Sequence, residues 1–323
     1  MLTEKAKNGI SDISSSEGKL RRFTLLCKII RLEKGLTRKK LENLAEQRIG
    51  SPFQNRTVTH RHLTISEKIG LIENFGGIYA LSSEGKALCE LSPESNVTTR
   101  LSLEEQAIYF KAIFTSILKG QLKEFLAIVK QHANKTRKEI ISRYFSTELA
   151  RGLWSEATIE KNLTRLQETG KIPTFFENKF RCMEMWLEDI GLIKREKDKM
   201  ILNINVEILL NEFRKTSDIN DKIYGLIGAI LVGPTTTFDY SKHREEFLEI
   251  FKKAYSLFKT ESDISDIKAI MTFVCVNLLK NRIIMEEEMF NGLIKSLWSE
   301  GVIKSVMLGR DGKPAYVVLS QPI

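Results

Sequence analysis

Thr57, His60, Arg61, Thr64 and Lys68 recur at spacings that bring them to one face of an α-helix. Val58, Ile65 and Ile69 fall on the opposite, apolar face. The polar set mixes hydroxyls, an imidazole, a guanidinium and an amine, the kinds of donor and acceptor that match base edges in a duplex groove. Arg61 is its strongest member, because a guanidinium can make two parallel bonds to a guanine and so contributes about 1 to 3 kcal/mol of discrimination. Thr57, His60, Arg61 and Thr64 are therefore the candidate base-reading residues. Arg21, Arg22, Arg38, Lys39, Lys40, Arg56 and Lys68 surround them as candidate phosphate contacts. Between Lys19 and Arg61 stand twelve Lys or Arg and three Glu, so this stretch holds the whole net charge of +9 and the rest of the chain is balanced. Neutralising phosphates with such a cluster releases counterions and gives an affinity that falls steeply with salt.

Other chemistry finds little purchase. In His60-Arg61-His62 the two imidazoles are two residues apart, about 200° around a helix, and cannot share an ion. His62 reads instead as a residue tucked at the edge of the core. Cys27, Cys89, Cys182 and Cys275 lie far apart among apolar neighbours, and the four histidines do not complement them at zinc spacings, so no metal is expected. Buried thiols suit a reducing compartment and a cytoplasmic location. Gly228 and Gly233 match the spacing of a phosphate-binding loop, but Pro234 and Thr235 follow where that loop needs Lys and Ser or Thr. Pro234 also has no amide hydrogen to offer a phosphate, so a short helix ending in a Gly-Pro turn is the expectation, with no nucleotide cofactor. A metal-dependent nuclease needs clustered carboxylates near a lysine. Glu177-Asn178-Lys179 has that local form, but a chain with 28% charged residues carries several such triplets, and no aspartate lies between Asp12 and Asp189. No catalytic constellation emerges, so the chain is not expected to be an enzyme.

The elements that must position these residues repeat. SEKIGLIENFGGIYALS, LEDIGLIKREKDKMILN and LWSEGVIKSVMLGRDGKPAYVVLS each run from an amphipathic helix through a glycine into alternating residues, a polar tip and a return strand. Gly70, Gly191 and Gly301 are 121 and 110 residues apart. Each is placed to close a helix in the left-handed conformation that lacks a Cβ clash. Gly76-Gly77, Lys197-Asp198-Lys199 and Asp311-Gly312 supply the tips, the last a favoured two-residue hairpin turn. Gly170, before Pro173, reads as a helix-helix turn. Upstream of the first hairpin, residues 20–35 and 37–50 read as helices, with Thr37 as the second one's N-cap, and a third helix covers 56–69.

Helix, helix, helix, hairpin is the order of the winged-helix superfamily, and residues 19–95 resemble that family. The resemblance implies a third helix entering the major groove and a wing touching the flanking backbone. The expected fold is mainly α with small β-hairpins, as tandem winged-helix modules joined by helical spacers. A flexible leader (1–18) precedes module 1 (19–95), a spacer (96–136), module 2 (137–212), and module 3 with a helical lead-in (213–323). Module 2 carries a basic wing, Lys194, Arg195, Lys197 and Lys199, as possible second contacts to DNA, and its third helix buries Phe176, Phe180, Met183, Leu187 and Ile190 with Glu184 and Glu188 outside. Module 3 opens its third helix with Glu286-Glu287-Glu288, which would repel phosphates and suits other protein subunits. The spacer helices around 101–120 and 241–259 carry apolar stripes that are core or, less simply, a dimer interface. The longest apolar run, 223–233, has 11 residues against the roughly 20 that span a bilayer, so no membrane is expected. The expected function is double-stranded DNA binding, as a transcriptional regulator or as the DNA-binding subunit of a prokaryotic or mobile-element replication, segregation or defence system, with a homodimer matching half-site symmetry. The rival reading is a tandem winged-helix protein scaffold with nonspecific nucleic-acid affinity.

Overall fold

The computed structural model describes residues 19–33, 35–49, 56–93, 100–133, 135–216, 218–310 and 312–320, with the side chains of 49 and 56–59 outside that set. The leader 1–18 and Asp311 lie outside the described residues. The protein is mainly helical with small hairpins. The first unit comprises α1 (Leu20–Leu32), β1 (Leu36–Thr37), α2 (Arg38–Ile49), α3 (Arg56–Lys68), β2 (Ile72–Phe75), β3 (Ile78–Leu81) and α4 (Ser83–Leu91). Thr37, expected as a helix cap, closes a two-residue strand directly before α2 and pairs with Ile78. Both roles require extended backbone at that residue. The second stretch runs through α5 (Leu103–Thr115), α6 (Lys119–Gln131), α7 (Arg137–Phe145), α8 (Glu148–Leu153), α9 (Glu156–Thr169) and α10 (Thr174–Asp189) to the hairpin β4 (Ile193–Glu196) and β5 (Lys199–Leu202), then α11 (Val206–Lys215). The third holds α12 (Ile223–Ile227), β6 (Thr236–Thr237), α13 (Tyr240–Phe258), β7 (Ser265–Asp266), α14 (Ile267–Lys280), β8 (Ile283–Ile284), α15 (Glu287–Ser299), β9 (Ile303–Leu308) and β10 (Pro314–Leu319).

The first and third sheets share one topology, β1-β3-β2 and β7-β10-β9, in which a two-residue strand just ahead of a helix pairs with the returning strand of the hairpin. The middle hairpin is two-stranded. All three are attached to their helices in the same way. Gly70, Gly191 and Gly301 have φ of +74°, +75° and +77°. In each case the following residue donates its amide five residues back, Leu71 to Ser66 at 2.8 Å, Leu192 to Leu187 at 2.8 Å and Val302 to Leu297 at 3.0 Å. This is the paired-bond helix stop that a left-handed glycine permits. A polar residue then locks the far strand: Ser82, Asn203 and Ser320 donate their amides to Leu71, Leu192 and Val302, and their side chains to the carbonyls of Gly70, Gly191 and Gly301. The first tip is a two-residue turn with φ of +62° and +94° at Gly76 and Gly77. The third tip, expected as an Asp311-Gly312 turn, includes Asp311 outside the described residues; beside it the Gly309 amide donates to the Lys313 carbonyl at 2.8 Å. Pairing ends at Leu308 opposite Pro314, which has no amide to extend the ladder. Gly170 caps α9 at φ +65°, and Gly233 (φ +93°) ends the short helix before Pro234.

One apolar core runs through all three stretches. Its axis is the spacer helix α5, in which every residue from Ala107 to Phe114 is buried. Residues 103–115 therefore cannot serve as the dimer interface that their stripe allowed. Helix α14 is enclosed to a similar extent, because it packs between α4 and α13. Asp266 ties the first and third stretches by accepting from Ser83 and Lys86 while capping α14. No helix among the described residues is long and apolar enough to cross a membrane.

Candidate nucleic-acid interface

Helix α3 places only part of the expected polar face in solvent. His62, Leu63, Ile65, Ser66 and Ile69 are buried, His60 and Arg61 are exposed, and Thr64 and Lys68 are half-buried at the rim. The side chains of Arg56, Thr57 and Val58 lie outside the described residues. Glu67 is exposed beside Lys68, an acid that the reading of this face left out. The inner side rests on an aromatic stack: the His62 ring lies 5.2 Å from Phe23 of α1, which meets Trp186 of α10 edge-on at 5.7 Å. His62 is thus a core residue, deeper than the edge position expected for it.

The phosphate candidates divide. Arg21 and Arg22 are not on the surface, being 2% and 8% exposed. Both of the Arg21 terminal nitrogens bind Glu105 of α5, with further bonds to Ser92 and the Arg100 carbonyl. The periodicity of α1 marks this side as solvent-facing, but α4 and α5 cover it, and the guanidinium is committed to a buried carboxylate. Arg38, Lys39 and Lys40 remain exposed on the first turn of α2. Arg38 pairs with Glu42 at 2.9 Å, and Lys40 with Glu33 at 2.8 Å. Such exposed pairs contribute at most about 1 kcal/mol and can exchange a carboxylate for a phosphate. Elsewhere in the basic stretch, Lys28 donates to the carbonyls of Ser92 and Pro93, and Arg31 pairs with Glu90. The excess that the sequence concentrates in one segment is therefore partly buried inside the fold, and among the described residues Lys19, Arg31, Arg38, Lys39, Lys40, Arg48 and Arg61 keep it at the surface.

The second hairpin keeps Lys194, Arg195, Lys197 and Lys199 all exposed. Lys194 pairs with Glu196 at 2.7 Å. The tip is anchored from behind, where the amide of Arg137 donates to the Asp198 carbonyl at 2.7 Å. Arg137 itself is buried against α10 by Glu184 and Glu177. Glu184, expected outside, is 1% exposed because it receives this guanidinium. The same contact occupies Glu177 of the nuclease-like triplet, and among the described residues no group of three or more His, Cys, Asp or Glu is arranged to hold a metal ion. Phe176, Phe180, Met183, Leu187 and Ile190 are buried as read. In the third stretch Glu286 turns inward and accepts the amides of Tyr224 and Gly225 at 3.1 and 2.6 Å, capping α12 rather than facing a partner.

The first and second stretches are joined where α1 begins and α10 ends. Asp189 accepts the amide of Leu20 at 3.0 Å, and its own carbonyl receives Gln106 at 2.9 Å. Burial pushes the Asp189 carboxyl up to about 6, opposed by the Leu20 amide and by Lys19. A carboxyl raised in the folded state binds its proton more tightly there, so stability falls as pH rises from about 4 to about 6 and stays lowered above. Asp189→Asn, which keeps the acceptor without the charge, is expected to be more stable than the parent by about 3 kcal/mol at pH 7 and nearly equal to it near pH 4. Urea melts at the two pH values check this.

No protein-family model, curated protein or solved structure matches the chain.

Proposed function

We propose that the chain binds double-stranded DNA, with α3 reading base edges through His60, Arg61 and Thr64, and with Arg38, Lys39, Lys40 and Lys68 on the flanking phosphates. The observation that carries this reading is the exposed basic and polar face of α3 next to the cationic first turn of α2, in a helix, strand, helix, helix, hairpin order that resembles a winged-helix module. The same order around β7, β9 and β10 supports a tandem arrangement. The exposed cations at 194–199 offer a second backbone contact. A transcriptional regulator, or the DNA-binding subunit of a replication, segregation or defence system, fits this surface, acting as a homodimer where the site is palindromic.

The test is a mobility shift of the full chain on genomic fragments with a salt titration. The 19–95 fragment is a poor substitute, since it would strip Arg21 of Glu105 and Phe23 of Trp186. Lys39→Ala is expected to weaken all sequences alike and to lower the salt slope by about 1. Arg61→Ala should lose about 1 to 3 kcal/mol on the preferred site and little elsewhere. Absence of salt-dependent binding would defeat the proposal. A scaffold role draws on a separate observation, the exposed apolar Trp298, Leu308 and Tyr316 of the third stretch, which suit another protein subunit. Stable capture of such a subunit without DNA binding would favour it.

A further inference from the structure

The β2–β3 hairpin is the wrong kind of hairpin for touching phosphates. It contains no Lys or Arg, and Glu73 is its sole charge. Its tip instead shows Phe75 at 62% and Ile78 at 45% exposure. These two are register partners across the last rung, so they stand together on the sheet face opposite the inward-facing Ile72 and Tyr79. The tip is also stiff, because both glycines take the left-handed turn and the Gly77 amide donates to the Asn74 side chain at 2.8 Å. Ile78 pairs on its other side with Thr37, the residue before α2, which sets the exposed Arg38, Lys39 and Lys40 beside the apolar tip. A phenyl ring held out on a rigid turn, with cations next to it, matches a nucleic-acid strand whose base offers a π-face while its phosphates meet the amines. Within a closed duplex that face is covered by the neighbouring base.

We propose that Phe75, supported by Ile78, stacks on an unpaired base where the bound duplex is open, so that this surface prefers a forked DNA end over a closed duplex. This rests on the DNA-binding reading above and adds the structure recognised. The experiment uses the full chain with two labelled probes, a blunt duplex and the same duplex ending in unpaired arms, with 2-aminopurine at the first unpaired position. The fork is expected to bind about tenfold tighter than the blunt duplex, the scale of a single base–aromatic stack, with quenching of the 2-aminopurine. Phe75→Ala should abolish that difference and the quenching while leaving blunt-duplex binding unchanged, and Phe75→Trp should retain both. Circular dichroism verifies that the exposed substitutions leave the fold intact. Equal wild-type affinity for both probes, or a Phe75→Ala protein that still prefers the fork, overturns the inference and leaves duplex binding standing. Failure to bind either probe removes the DNA reading itself. A Phe75→Ala protein that changes its sedimentation coefficient instead identifies the tip as a contact between copies and also overturns the inference.

Discussion

Replacing Glu105 with Ala is expected to lower stability by about 3 to 5 kcal/mol, the cost of stranding a buried charge. Glu105 is fully buried and receives both terminal nitrogens of Arg21, the Ser92 hydroxyl at 2.7 Å and the Ser102 amide at 2.9 Å. The last bond belongs to the capping box that begins α5. One carboxylate therefore starts the central helix and neutralises a guanidinium delivered by α1. Without it, Arg21 keeps the Arg100 carbonyl and Ser92 but loses the carboxylate that both of its terminal nitrogens bind in the interior. The paired replacement Arg21→Met with Glu105→Leu should recover most of the loss, since an apolar pair of similar volume has no charge to desolvate. Denaturant titration of the three proteins decides this, and an unchanged midpoint for Glu105→Ala would refute the network. The double variant serves a second purpose. If it binds DNA with the parent's salt slope, Arg21 has no part in the phosphate track; a slope reduced by about 1 would put it back.

The second large effect is expected at Gly85. A glycine inside a helix ordinarily costs about 1 kcal/mol relative to alanine, so Gly85→Ala would stabilise α4 if space were free. It is not free. A Cβ at this position would stand 2.0 Å from the Leu71 carbonyl oxygen and 3.1 Å from its carbon. Leu71 is the residue after the Gly70 helix stop, and its carbonyl already receives the Ser82 amide at 3.2 Å. Neither backbone segment can yield without disturbing the base of the first hairpin or the seat of α4 on α1. The clash outweighs the propensity gain, and a net loss of about 3 kcal/mol is expected, the upper range for overpacking. A midpoint at or above the parent's would mean that α4 does not approach the hairpin this closely.

These contacts change what the charge of the chain means. The excess of +9 in one segment invites the picture of a continuous cationic strip, yet α1 buries Arg21 and Arg22, and carboxylates of α5 and α4 meet Arg21 and the exposed Arg31. The surface left for a polyanion is narrower, comprising the first turn of α2, the outer side of α3 and the exposed hairpin at 194–199. A narrower track predicts fewer phosphate contacts and a shallower salt dependence than twelve cations would give.

Much of the fold was legible because its causes are local. A glycine that must sit at positive φ, a period of 3.6 and a two-glycine tip act within a few residues of themselves, and the helix stops at Gly70, Gly191 and Gly301 follow from them. The latch residues Ser82, Asn203 and Ser320 were equally visible, each ending its return strand, but their meaning requires knowing that the strand comes back to the glycine carbonyl. The apolar and polar sides of α3 were readable for the same reason, including the outward Arg61.

The tertiary structure alone decided which cations are available, and that the spacer α5 is the hub of a shared core. Arg21 and Lys39 look alike in sequence, both basic and both near a helix start. Their fates differ because one lies under a carboxylate contributed from 84 residues away and the other lies under water. Periodicity reports which side of a helix is apolar; whether its polar side meets solvent or a buried partner depends on the other elements packed around it, and no spacing within the helix encodes that.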